Sequence, residues 1–396
     1  MKMRILANDG LAAEAIEYLK AENFEVETAK RDPEQLLKEI GEFDALLVRS
    51  ATKVTREVIE AGTKDHGKLK IVGRGGVGVD NIDLEAAKEC GVIVKFAPNG
   101  NTNATAEHAL GLIFAVARKV PFAHATLMQG VWHKKPFQGN ELFGKTLGII
   151  GCGRIGQCLA EKARALGMKT IGYDLYRAID SNVEYVDDID QIFTDSDFIS
   201  LHTGGTKVIV GARELKLMKP TGYLINASRG KNVSEDALYA ALKEKRIGGA
   251  ALDCYEKEPK KEGEPFVCKL RELDNIVLSA HLGASTFNAV RKTSLEVAEV
   301  TTHYLRRGDF ANSVNVGENV EEEGKKIYTL FITHEDKPGM FGKFGTVLGE
   351  MGVNIRENTS RKLSTFVQSV YTVHQRPSKK VLEALEKIDG VKRVVY

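Results

Sequence analysis

One stretch constrains this chain more than any other: Gly151-Cys152-Gly153-Arg154-Ile155-Gly156. It fits G-x-G-x-x-G, a weak signal by itself in a chain with 38 glycines. Its setting makes it strong. The apolar residues 147–150 lead into it as a strand. Ile155, Leu159, Ala163 and Leu166 then share one helix face, with Gly167 as a stop. The next strand, residues 169–173, ends at Asp174, eighteen residues past Gly156. Each part has a physical task. Gly151, Gly153 and Gly156 permit a tight turn and let backbone N–H groups approach a pyrophosphate at the helix N-terminus. The Asp174 carboxylate accepts hydrogen bonds from the adenosine ribose and repels a 2′-phosphate. The expected cofactor is NAD, with Arg177 nearby leaving NADP as the alternative.

Strand-like and helix-like stretches alternate on both sides of this motif. In the first hundred residues, strands are expected near 5–7, 24–26, 45–48, 69–72 and 92–94, with helices between them. That order implies a parallel sheet covered by helices. Residues 103–119 read as one long, mostly apolar helix. A second βα series runs from 145 to about 279, and a further long helix covers 285–307. The acidic stretch around Glu321 and Glu322 reads as a linker. Beyond it the order is βαββαβ, a small ferredoxin-like unit.

Composition excludes several classes. With 43% hydrophobic residues over 396, the chain can build packed cores and is not disordered. A net charge of +2 gives no field for nucleic-acid binding. The apolar run 109–117 is closed by His108 and Arg118 and is too short for a membrane span. The first residues enter a strand without a leader pattern, so a cytoplasmic protein is expected. Five cysteines without C-x-x-C spacing suggest reduced thiols, not a disulfide frame or a metal site.

The second βα series ends its strands in polar residues. Residues 224–228 run into Arg229, residues 250–252 into Asp253 with Glu258 soon after, and residues 276–280 into His281. Ligands of parallel sheets sit at such carboxyl ends. Removing hydride from an alcohol requires a base of near-neutral pKa, and histidine suits that. A carboxylate orients the imidazole and stabilises its cation. A guanidinium grips a carboxylate through paired hydrogen bonds. Taken singly, each residue has an ordinary structural explanation, and Asp253 suits cofactor binding or loop structure better than chemistry. In the first series, Arg49-Ser50 and Arg74-Gly75-Gly76 end strands and could cradle a phosphate or carboxylate. Lys134, beside Trp132, reads as part of a basic loop.

At these residues the chain resembles the D-isomer-specific 2-hydroxyacid dehydrogenase family, in particular its phosphoglycerate-oxidising branch. The likeness covers nearly the whole chain and is most specific at VGRGGVGVDNIDLEAA (72–87), FGKTLGIIGCGRIG (143–156), LINASRG (224–230), ALDCYEKEP (251–259) and HLGAST (281–286). It implies a Rossmann NAD-binding domain, residues 99–287, inserted into a flavodoxin-like substrate domain, residues 1–98 and 288–316. A linker, 317–325, would lead to a regulatory unit, 326–396, that resembles an ACT domain at residues 334–339 and 352–355. The resemblance puts the catalytic trio on Arg229, Glu258 and His281. It implies a cofactor shell of Arg154, Ile155, Asp174, Thr203, Ala227, Ser228, Asp253, Leu282, Gly283 and Ala284, in addition to the glycines. Arg49, Ser50, Arg74, Gly75 and Gly76 would face substrate, with Lys134 reaching a neighbouring subunit's site. The implied assembly is a homo-oligomer, dimer or tetramer. The implied reaction is reversible, NAD-dependent oxidation of D-3-phosphoglycerate to 3-phosphohydroxypyruvate, the first step of phosphorylated serine synthesis. His334, Asp336 and Asn354 would bind L-serine as a feedback effector. Two alternatives stand beside this reading: a hydroxypyruvate or glyoxylate reductase of the same family, and a non-enzymatic NADH-sensing protein. The short loop 202–206 and Val77 depart from the family pattern and bear on cofactor packing.

Overall fold

A computed structural model describes residues 2–64, 67–178, 181, 183–205, 207–259, 263–307, 312–315, 318–322, 325–362 and 366–396. The chain divides into two compact units, Met1–Gly100 with Val290–Tyr396, and Asn101–Ala289.

The first unit opens with five parallel strands: β1 (Arg4–Ala7), β2 (Glu25–Glu27), β3 (Ala45–Val48), β4 (Ile71–Arg74) and β5 (Ile93–Phe96). They lie in the order β2-β1-β3-β4-β5, the flavodoxin-like arrangement. Strand β3 is buried along its whole length, as expected where helices cover both faces of a parallel sheet. In register, Val48 pairs with Arg74, so the carboxyl ends of β3 and β4 are side by side.

The second unit holds β6 (Thr146–Ile150), β7 (Lys169–Tyr173), β8 (Glu184–Tyr185), β9 (Phe198–Leu201), β10 (Tyr223–Asn226), β11 (Gly249–Leu252) and β12 (Ile276–Leu278). Their order is β12-β11-β10-β9-β6-β7-β8, and every pairing is parallel. This is a Rossmann sheet with one added strand. Its order reverses between β6 and β9, where such sheets bind nucleotides. The long helix expected at 103–119 is the helix Thr102–Ala117, and a second helix, Val120–Met128, follows it. Lys119 between them is left-handed at φ 53°, and Pro121 starts the second helix, since its ring cannot follow a helical turn. No single helix among the described residues is long and apolar enough to cross a membrane.

The C-terminal sheet contains β13 (Glu318–Glu322), β14 (Lys325–Glu335), β15 (Ile355–Lys362), β16 (Phe366–Val373) and β17 (Val391–Val395). Four of its strands lie in the ferredoxin-like order β17-β14-β16-β15, all antiparallel. One expectation needs correction here. The stretch read as a linker contains β13, which pairs with the start of β14; Gly317, Glu323 and Gly324 lie outside the described residues. The last sheet is the small antiparallel unit expected, and one of its faces packs on the first sheet. Alternate residues of β14 face opposite ways. Leu330 and Ile332 pack on the helices Met340–Glu350 and Lys379–Glu386, whereas Phe331, with Val370, joins Ile5, Leu19, Tyr304 and Leu305 in the core of the first sheet. Tyr304 Oη donates to Gln368 Oε1 across this seam, and both residues are buried. A sheet with helices on one face has the other face left to bury, and the helix Phe287–Arg307 covers it.

Candidate active site

The glycine turn follows β6, and each glycine meets a different constraint. Gly151 has φ 92°, and a Cβ there would lie 2.7 Å from the His202 carbonyl group. A Cβ on Gly156 would come 2.3 Å from Gly151 O, so this glycine lets the helix Arg154–Ala165 start hard against the turn. Gly153 precedes that helix, makes no side-chain cap, and has open space where a Cβ would point. The turn therefore offers a helix N-terminus and a cradle that a side chain would fill, which fits a pyrophosphate. Asp174 braces the turn: its Oδ2 accepts from Cys152 N–H at 2.7 Å and its Oδ1 from Tyr176 N–H at 3.0 Å. Arg177 is paired with Asp187 at 2.7 Å, which directs its charge away from a ribose phosphate. After β9, Thr203 Oγ1 bonds Asn232, which also receives Ser228 Oγ and caps the Lys207 carbonyl. Burial depresses the His202 pKa to about 4, so that ring stays neutral beside Ser200. Of the short loop, Thr206 lies outside the described residues.

The strand-end trio converges. His281 Nδ1 lies 3.0 and 2.9 Å from the two oxygens of Glu258. A carboxylate only accepts, so Nδ1 carries the proton and Nε2 is left with its lone pair. Glu258 Oε1 also accepts from Tyr255 N–H at 3.2 Å. The hydrogen bond to Glu258 raises the His281 pKa, against burial and the nearby Arg229 cation. Arg229 lies at the end of β10, where its backbone carbonyl accepts from Asn226 Nδ2 at 2.9 Å. Gly230 lets this segment press against Tyr255, whose backbone a Cβ would meet at 1.9 Å.

Asp253, expected to serve cofactor binding or loop structure, is tied into the loop here. It is 1% exposed, and chain donors occupy both oxygens. Oδ1 accepts from Ser279 Oγ (2.6 Å), Leu282 N–H (2.8 Å) and His108 Nε2 (3.1 Å); Oδ2 accepts from Gly283 N–H (2.9 Å). Burial works to raise its pKa, but these donors outweigh it and hold the carboxyl below its usual range. Asp253 thus shapes the turn that carries His281. Ala284 follows in the same turn, and Ala227 lines the buried end of β10. Sequence reasoning missed His108 and Cys254. The Cys254 sulfur and ligand atoms of Glu258 and His281 lie within 4.8 Å of one another, and burial with Asp253 and Glu258 keeps the thiol protonated.

In the first unit, Arg49 and Arg74 end adjacent strands. Asp9, also missed, holds the loop after β3 by accepting from Arg49 N–H (2.7 Å), Thr52 N–H (3.0 Å) and Thr52 Oγ1 (2.6 Å). Ser50 is exposed, and Gly75 N–H bonds Val48 O at 2.8 Å. Gly76, at φ 150°, lies so close under the Arg74 guanidinium that a Cβ would collide with it. Lys134 is exposed over the Trp132 ring. In the C-terminal sheet, His334 is spent internally, with Nε2 on Ser369 Oγ (2.7 Å) and Nδ1 on Glu335 O (2.8 Å). Burial lowers its pKa, so it is a neutral strut. Asp336 and Asn354 are exposed.

Comparison with known proteins agrees with this geometry. Residues 110–283 match the model of the D-isomer specific 2-hydroxyacid dehydrogenase NAD binding domain, and residues 328–390 match the ACT domain. The D-3-phosphoglycerate dehydrogenase of Escherichia coli is 35% identical over 405 residues, covering 99% of this chain and 97% of that protein. The chain belongs to the D-isomer-specific 2-hydroxyacid dehydrogenase family. The cofactor of this family domain is NAD. The D-3-phosphoglycerate dehydrogenase of Methanocaldococcus jannaschii is 45% identical over 81% of this chain, a match that spans only 61% of that protein's length. A hydroxypyruvate reductase of Thermotoga maritima is 43% identical over 75% of this chain and 97% of its own. Among solved structures, an NAD+-bound 3-phosphoglycerate dehydrogenase of Entamoeba histolytica superposes with a TM-score of 0.66 at 25% identity, covering 79% of this chain and 99% of that one.

Proposed function

We propose that this protein oxidises D-3-phosphoglycerate to 3-phosphohydroxypyruvate with NAD, reversibly, at the entry to phosphorylated serine synthesis. The observation that carries the reading is the Glu258–His281 pair at the end of the Rossmann sheet, with Arg229 beside it. The glycine turn Gly151–Gly156 would hold NAD, which would supply the hydride acceptor for C2 of the substrate. His281 Nε2 takes the C2 hydroxyl proton, and Glu258 stabilises the resulting imidazolium. Arg229 grips the substrate carboxylate and polarises the C2 oxygen. Arg49 and Arg74, with Ser50 beside them, would take the phosphate.

Two further assignments accompany this reading. Homo-oligomer formation is supported by the apolar side chains Met128, Trp132 and Phe143, each about three-quarters exposed on the second unit. In such an assembly Lys134 would serve a partner's site. The ACT domain would sense an amino acid, with L-serine as its ligand and Asp336 and Asn354 as polar contacts. Five free thiols fit the cytoplasm.

The test is replacement of His281 by alanine. Turnover should fall about 100- to 10,000-fold while NADH binding, read by fluorescence, stays near wild type. Unchanged turnover would overturn the mechanism. A second reading, reductase action on hydroxypyruvate, is favoured by the Thermotoga relative, and comparing kcat/KM on phosphorylated and unphosphorylated acids decides between them.

A further inference from the structure

The turn that carries His281 is held from two sides. His281 itself is a non-glycine residue at φ 54°, a conformation that costs on the order of 1 kcal/mol or more and persists only where neighbours enforce it. Glu258 fixes the ring, and Asp253 fixes the backbone at Leu282 and Gly283. Asp253 in turn is held by the helix Thr102–Ala117, through His108 Nε2 at 3.1 Å. The same nitrogen lies 3.1 Å from Ser279 Oγ, which donates to Asp253 at 2.6 Å. One turn earlier on that helix, Thr105 backs Gly283 so closely that a Cβ there would stand 3.3 Å from both Thr105 Cγ2 and Asp253 Oδ2.

We propose that His108 is a positioning residue for the reaction: its Nε2–H group holds Asp253, and through Asp253 the turn that presents His281. A buried carboxylate that serves as a four-way anchor needs every donor. Without His108, Asp253 keeps its charge but loses a donor that spreads it. Its field at His281 then grows, and the turn loosens on the side of the Thr102–Ala117 helix. The charged groups acting on His281 are Glu258 and Asp253, which favour the cation, and Arg229, which opposes it.

The inference rests on His281 as the reacting base, so the test has one arm with turnover and one without. In the first, His108→Leu should lower kcat about tenfold or more with the KM for NAD within about twofold, and His108→Gln, whose Nε2 reaches the same place, should restore it. In the second, NMR of ring-labelled histidine follows the His281 titration, assigned by its loss in His281→Gln. His108→Leu should move that titration to higher pH, and His108→Gln should return it. An unmoved titration and kcat in well-folded His108→Leu, or equal losses in the two variants, would overturn the inference. Should the leucine variant not fold, His108→Asn, whose amide is too short to reach Asp253, serves in its place. Absent turnover in the unaltered protein would sink the reading of the site instead, and the NMR arm would still decide the role of His108.

Discussion

His281 Nδ1 faces both carboxylate oxygens of Glu258, at 3.0 and 2.9 Å, and this pairing sets the pH dependence of the site. Glu258 raises the imidazole pKa. Alcohol oxidation uses the neutral ring, so its rate should climb as pH rises through that raised value. The reverse reduction uses the cation and should fade over the same window. Glu258→Gln should shift both limbs to lower pH, toward the ordinary histidine value of about 6.5. Profiles of kcat/KM in both directions check this, and limbs that do not move would contradict it.

The glycine turn makes a paired prediction. Gly151→Ala would force a side chain at φ 92° against the His202 carbonyl, and should destabilise the protein by about 1–3 kcal/mol. Gly153→Ala meets nothing within 4 Å, so stability should hold while NADH affinity falls about tenfold or more. Urea melts and fluorescence titration separate the two. Equal melts would show that the close approach at Gly151 is not enforced.

Arg49 and Arg74 should discriminate substrates. Each arginine-to-alanine change should cost about 10- to 100-fold in kcat/KM on 3-phosphohydroxypyruvate, the scale of a charge-assisted hydrogen bond. On unphosphorylated hydroxypyruvate the loss should be much smaller. Equal losses on both would remove these arginines from the phosphate.

The fully buried Tyr304 hydroxyl bonds Gln368 in the seam between the first sheet and the C-terminal sheet. Tyr304→Phe leaves a buried amide oxygen without that donor and should cost about 1–3 kcal/mol of unfolding free energy. A urea melt identical to that of the unaltered protein would mean that the seam does not depend on this bond.

Much of this was legible in the sequence, and the reasons are physical. The nucleotide turn follows local rules: an apolar strand, three glycines and an acid at a fixed distance can be read from 147 to 174 alone. The convergence of Arg229, Glu258 and His281 follows because parallel strands end on one side. What the sequence concealed is tertiary. For Asp253, cofactor binding and loop structure both stayed open, because nothing in its neighbourhood reveals that residues 282 and 283 fold back onto it. His108 looked like the end of an apolar run, although a polar residue on a buried helix face is a signal in retrospect. The partner of His334 Nε2, Ser369, is 35 residues away and could not be read from its neighbourhood. The acidic stretch before residue 325 looked like a linker, because the pairing of β13 with β14 leaves no alternation of apolar residues to see.

The most direct test of the central claim is kcat/KM for NADH oxidation with 3-phosphohydroxypyruvate, hydroxypyruvate and glyoxylate, measured side by side. The account predicts that the phosphorylated acid is used at least about tenfold more efficiently than either of the others, since its phosphate adds a charge-assisted contact. Equal or better use of hydroxypyruvate or glyoxylate, or no NADH oxidation with any of the three, would contradict it.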